Sequence, residues 1–288
     1  MVNGKDSVKL CLVEFSYSFR RFRWQILGWG LGIAALGLII VSFYGAFLEQ
    51  QEQFLSMVES YPAELMAFFG GDPASLATTR GYLGMYGFSM LPVIVGIFAV
   101  LAGSGLVACD EEGGQLDLIL AHPPSRTAFF FGRILALLAA ALMIIFIGWI
   151  GFSILLGGSA LELSWLEMAL PFIPLAAQAL IYSMLGLLLS QVLPSRKLAA
   201  VGAALVMVAS YFLSSMSTLN ESLEGAAKLL PYAYFQGSDA LDGLNWGWLF
   251  GLLAASLLLA LAAWWRFSRR DIRVAGEGRL MPDWIRAA

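Results

Sequence analysis

Charge is scarce in this 288-residue sequence: 13% of residues are charged and 59% are hydrophobic, with a mean hydropathy of +0.78. A soluble domain carries about a quarter of its residues as charges, so the excess apolar surface calls for lipid as its solvent. There is one histidine, His122, which excludes a multi-histidine metal site. The two cysteines, Cys11 and Cys109, cannot build a disulfide framework; both fall on the side assigned below to the cytoplasm and read as reduced and structural. Lysine is confined to Lys5, Lys9, Lys197 and Lys228, none within a Gly-x-x-x-x-Gly-Lys-Ser/Thr run, so ATP is not bound through that motif. His-Glu-x-x-His and Gly-x-Ser-x-Gly are missing too. A net charge of −3 gives no sign of a nucleic-acid partner. The first apolar stretch starts at Trp24 and is too long for a signal-peptide core, so no cleaved leader is expected.

Long apolar runs are what the sequence has instead. Six segments reach spanning length: Trp24–Leu48, Tyr82–Ala108, Phe129–Leu156 with Arg133 at its entry, Met168–Leu193, Leu198–Ser217 and Trp246–Trp265. In lipid each must satisfy its own backbone, which predicts helices. Pro92 predicts a kink in the second span, and Pro171 and Pro174 an irregular start to the fourth. Of the 17 Lys and Arg residues, all but Arg80 and Lys228 fall on one set of connections and termini. The positive-inside rule then places both termini in the cytoplasm, an orientation that six spans allow.

Two amphipathic stretches flank the first span. Val8, Leu12, Phe15, Phe19 and Phe22 recur at helical spacing among basic residues, which predicts a helix over 1–23 lying at the membrane–lipid interface. The external segment 49–80 alternates apolar side chains with acids and is broken at Tyr61-Pro62, which predicts two short helices capping the bundle. Residues 268–288 form a cytoplasmic tail.

Within the spans ionisable side chains are nearly absent, an argument against ion-driven transport. Gln178 is the most polar residue at mid-span depth and is the candidate for a substrate path, with an interhelical hydrogen bond as its plainer role. Gly28-x-x-x-Gly32, Gly247-x-x-x-Gly251 and Gly103-Ser104-Gly105 are spacings that permit close helix contact.

The connection 109–126 carries the most information. Asp110, Glu111 and Glu112 suit a helix N-terminus, where the dipole favours anions. Leu116, Ile119 and Leu120 share one apolar face, and Pro123-Pro124 stops the helix. The pattern predicts a short amphipathic helix over about 110–122, outside the bilayer, whose leucine stripe needs a partner groove. Pro124-Ser125-Arg126 recurs as Pro194-Ser195-Arg196, each at the entry to a span; a helix stop with a lipid-facing arginine is the simplest reading, a second partner contact the other.

The run over 111–126, with Glu111, Glu112, Gly114, Leu116, Asp117, Leu118, Ile119, Ala121, Pro123, Ser125 and Arg126 in order, resembles the coupling-helix signature of ABC-2 type transporter permeases, with Gln115 in place of the usual threonine. Tyr61–Asp72 and Phe267–Ile272 are similar to the same family. The resemblance implies an all-α integral membrane protein: a six-helix transmembrane domain over 24–267 in the ABC-2, type V exporter-like fold, with an N-terminal interfacial helix and a short cytoplasmic coupling helix. It also implies a half-transporter that pairs with a second permease chain, a homodimer being favoured, and docks two separate ATPase subunits. ATP and Mg would then be bound by those partners, with no cofactor and no catalysis on this chain. The expected setting is the plasma (inner) membrane of a prokaryote.

Export of a hydrophobic or amphipathic compound, such as a drug, antibiotic or lipid, is the leading functional reading. A membrane scaffold worked mechanically by an ATPase fits the coupling segment equally well. A secondary transporter fits less well, given the ion-poor interior.

Overall fold

A computed structural model describes residues 4–58, 62, 78–116 and 126–269, and every regular element among them is helical. Six helical stretches are long and apolar enough to cross a membrane: 7–49, 79–105, 126–158, 165–192, 196–217 and 246–269. They correspond one to one with the six expected spans.

The first helix departs from expectation. α1 runs unbroken from Gly4 to Glu49, so residues 4–23 are not set off as a helix of their own. At 1.5 Å per residue this rod is roughly 69 Å long, more than twice a hydrocarbon core of about 30 Å. Nothing at Arg23–Trp24 can stop a helix, and the buried seam continues across that point. Glu14, Ser18, Phe22, Ile26, Ile33 and Ile40 are all buried. The expected stripe joins that seam only at its end: Phe22 is buried and Phe19 packs against the core, whereas Val8 is 61% and Leu12 60% exposed.

α1 lies parallel to α6 (Arg126–Ser153) along its length, and small residues allow the approach. A Cβ on Gly132 would stand 2.6 Å from the Cys11 carbonyl oxygen, and one on Gly151 2.2 Å from Ala34 Cα. The chain between them contributes α2 (Gln51–Val58), the only part of the external amphipathic segment before Pro62 that lies among the described residues as a helix. The second helix expected there, and the tail from 270 onward, lie outside the described residues.

The second span is built in two pieces. α3 (Thr79–Leu83) is capped by the Thr78 side chain, which accepts from Gly81 N–H, and runs into a single wide π turn at Gly84–Phe88. α4 (Leu91–Gly105) then restarts with Pro92 in its first turn. Proline lacks only an N–H that would be orphaned there anyway, so Pro92 marks a restart rather than a kink inside a continuous helix. A comparable restart precedes the fourth span: α7 (Trp165–Ala169) opens on a Ser164/Glu167 capping box, and Pro171 precedes α8 (Phe172–Val192).

α8 is the central helix, packed against α4, α6, α9 (Arg196–Ser217) and α11 (Trp246–Arg269). It crosses α4 backbone to backbone: a Cβ on Gly103 would lie 2.0 Å from the Ser183 carbonyl oxygen, and one on Gly186 3.0 Å from that of Val100. The Gly103 stretch therefore permits close contact as expected. Gly28, Gly32 and Gly251 face open space within the chain. Between α9 and α11, α10 (Glu224–Ala227) and tight turns at 231–234 and 237–242 cover the opposite end of the bundle.

Candidate functional site

After Gly105 a turn at Leu106–Val107 leads into α5 (Ala108–Glu112), which carries the acidic run. Instead of facing outward, Asp110 and Glu111 are 3% and 6% exposed. Asp110 Oδ1 accepts a 2.7 Å hydrogen bond from Arg21 Nη1 of α1, and its Oδ2 forms an ion pair with Arg133 Nη1 of α6. Arg133, two turns into the third span, is 1% exposed. Its Nη1 also donates to the Leu106 carbonyl at 2.9 Å, its Nε to Glu14 Oε2 at 3.4 Å, and its guanidinium stacks 4.1 Å from the centre of the Phe129 ring.

Placing a guanidinium in such a site costs several kcal/mol unless opposite charge and hydrogen bonds offset it. Two carboxylates, a carbonyl and a ring face supply that here. Arg133 Nη2 has no hydrogen-bond partner among the described residues. The cluster ties α5 to the first and third spans at once.

A second tie runs to the fifth span. Glu112 is exposed, and its Oε1 accepts a 2.7 Å hydrogen bond from the Arg196 backbone N–H. Arg196 Nη1 lies 2.8 Å from Cys109 Sγ. Ser195 caps α9 by accepting from Leu198 N–H. The Pro194-Ser195-Arg196 echo thus has a contact that neither sequence reading supplied: Arg196 holds the 109–126 connection of its own chain.

α5 ends in a Schellman arrangement. Gln115 N–H bonds the Asp110 carbonyl at 2.9 Å, Gly114 N–H the Glu111 carbonyl at 3.1 Å, and Gly114 sits at φ +67°. A left-handed residue ends a helix, so the helix expected over 110–122 is interrupted at Gly113–Gly114. Leu116, expected on a face offered to a partner, is 1% exposed and belongs to the core. Leu118, Ile119, Pro123 and Ser125 lie outside the described residues; Arg126 is the first residue of α6.

Beside the cluster, α1, α4 and the start of α9 border a cleft of about 390 Å³ lined by Arg21, Gln25, Cys109 and Arg196 and by Trp29, Phe98 and Leu101.

At the opposite end both basic side chains are committed to acids. Arg80 donates from Nε to Asp239 at 3.2 Å and pairs with Asp242; Lys228 Nζ lies 2.6 Å from Glu224. The Lys228 hydrogen bond holds the Glu224 carboxyl below its usual range, and Glu224 raises the lysine in return. Burial pushes the Tyr232 phenol up. A cavity of about 600 Å³ opens there, walled by Phe88, Tyr232, Phe235 and Trp248 with Ser214, Ser215 and Ser238 between them.

Gln178 is fully buried in α8 and donates from Nε2 to Tyr182 OH at 3.2 Å, one turn along the same helix rather than across to another. It lines neither the cleft nor the cavity at the opposite end. Among the described residues no group of His, Cys, Asp and Glu is set to hold a metal ion.

The sequence reading passed over the cluster because its members are spread from Glu14 to Arg196. The available signal was Arg133 itself: an ionisable residue next to a spanning segment implies a partner. The family model described as ABC-2 family transporter protein matches residues 24–272. No curated protein matches the chain.

Proposed function

The chain belongs to the ABC-2 transporter family as a multi-pass membrane subunit, and from that premise we propose that it is the membrane half of an ATP-driven exporter. Two copies pair, two ATPase subunits dock on the 109–126 connection from the cytoplasm, and a hydrophobic or amphipathic compound is moved outward. ATP and Mg belong to those partner subunits. The orientation is supported by the charge asymmetry, which gathers basic residues at the end of the bundle that holds α5. A prokaryotic plasma (inner) membrane is the setting.

The observation that carries the reading is Asp110, held in α5 between Arg21 of the first span and Arg133 of the third. Closure of the ATPase pair pushes on the connection. Through Asp110 that push acts on α1 and α6 directly, and through Glu112 and Arg196 on α9. A charge-assisted hydrogen bond is worth about 1.5–3 kcal/mol where both partners are buried, as at Arg133 and Asp110, and at most roughly 1 kcal/mol at the half-exposed Arg21, so α6 follows the segment most firmly. Gly113–Gly114, just beyond, gives the connection a bend where the pushed part joins the held part.

The test is co-purification with the cognate ATPase and assay of compound-stimulated hydrolysis. Asp110→Asn is expected to retain ATPase association yet lose stimulation of hydrolysis by transported compounds. Full stimulation in a folded Asp110→Asn protein would remove the linkage from the mechanism.

A further inference from the structure

Arg21 and Arg196 reach into one cleft with much of their hydrogen-bonding capacity unspent. Each guanidinium donates a hydrogen bond through Nη1 alone, Arg21 to Asp110 and Arg196 to Cys109 Sγ, while the Arg21 guanidinium also lies 5.8 Å from the centre of the Tyr17 ring; Nε and Nη2 of both have no protein acceptor among the described residues. Gln25, one helical turn beyond Arg21 on the same face of α1, lines the cleft as well. Of the four acids nearby, Glu111 is buried in α5 and does not line the cleft, and the other three are each engaged in part elsewhere. Asp110 is shared with Arg133, Glu14 pairs with Arg133, and Glu112 bonds the Arg196 backbone rather than its guanidinium.

The depth of these groups narrows the ligand. α4 ends at Gly105 and α9 begins at Arg196, so the guanidiniums stand where spans end and lipid headgroups begin. Deeper along the same cleft are Leu101, Phe98 and Trp29, the last two with ring centroids 6.4 Å apart. A soluble anion would use the arginines alone and make no use of that apolar lining. A phosphate diester with an acyl chain covers both. Basic pockets between spanning helices on this kind of surface take anionic headgroups.

We propose that this cleft binds an anionic membrane phospholipid, its phosphate on Arg21 and Arg196 and an acyl chain along Leu101, Phe98 and Trp29. Because Arg21 also holds Asp110, the lipid sits against the linkage described above and tunes it. That consequence rests on the exporter reading, whereas the binding itself does not.

The experiment is native mass spectrometry of the full-length, delipidated protein. It is titrated with phosphatidylglycerol, with phosphatidylcholine, or with inorganic phosphate alone, without ATPase. The expected result is a phosphatidylglycerol adduct held in preference to phosphatidylcholine and weakened about five-fold by Arg196→Gln. Arg196→Lys, which keeps the charge, restores most of the binding. Arg269→Gln, at the end of α11 and outside the cleft, leaves it unchanged. Equal retention of phosphatidylcholine, or equal losses in Arg196→Gln and Arg269→Gln, overturns the proposal. Inorganic phosphate that binds with the same Arg196 dependence and displaces the lipid assigns the cleft to a soluble anion and overturns it too. Hydrolysis is not read in any arm, so failure here leaves the exporter reading untouched.

Discussion

Asp110 accepts a 2.7 Å hydrogen bond from Arg21, a residue 89 positions earlier in the chain, and so fastens the connection after the second span to the side of the first. Arg133 meets the other oxygen of the same carboxylate from the third span. The two arginines differ in burial, and the difference sets what each contributes.

Arg133 is 1% exposed and the Arg21 side chain 46%. Removing one partner of a buried charge cluster costs about 3–5 kcal/mol, while a half-exposed pair contributes at most roughly 1 kcal/mol. Arg133→Gln is therefore expected to lower the unfolding midpoint in detergent strongly and Arg21→Gln only slightly. Equal effects of the two substitutions would show that the cluster is not organised around Arg133.

Helix contact makes a second prediction. Gly103→Ala would drive a Cβ against the Ser183 carbonyl, and overpacking of this kind costs about 1–3 kcal/mol. Gly28→Ala meets nothing within 4 Å and is expected to leave the stability of the chain unchanged or slightly raised. Thermal unfolding of the two variants side by side decides it; a tolerated Gly103→Ala would contradict the α4–α8 crossing.

Orientation is tested by labelling single cysteines, placed in a background lacking Cys11 and Cys109, with an impermeant reagent from outside intact cells. Probes at Ser56 and Ser222, both exposed, are expected to react. One at Ser268, near the end of α11, is expected to stay protected until the membrane is opened. External reaction at Ser268 reverses the topology.

The six spans were legible because lipid leaves a chain so few choices: apolar length alone dictates helix. The restarts at Pro92 and Pro171 were half legible, since proline announces an interruption without saying whether a helix bends or begins anew. The continuity of α1 through Arg23–Trp24 was not legible, because amphipathic spacing is the same in a separate helix and in the first turns of a longer one; the structure adds that Glu14, Ser18 and Phe22 are buried and that α1 packs on α6. The acidic start of the 109–126 connection was legible as a helix N-terminus, but its partners within the chain were not. Arg21, Arg133 and Arg196 are distant in sequence, and no local spacing ties them to Asp110 or Glu112.

Everything proposed about energy supply turns on the part of that connection beyond Leu116. If an ATPase docks there, an acid on its apolar side chains sets a charge against a desolvated groove, at a cost of several kcal/mol. The decisive measurement is pull-down of the cognate ATPase by folded, membrane-inserted Leu118→Asp and Ile119→Asp variants. Leu229→Asp, 86% exposed at the opposite end of the bundle, serves as control. The account predicts loss of ATPase association and of stimulated hydrolysis in the first two and full retention in the third; normal association and transport in both Leu118→Asp and Ile119→Asp would contradict it.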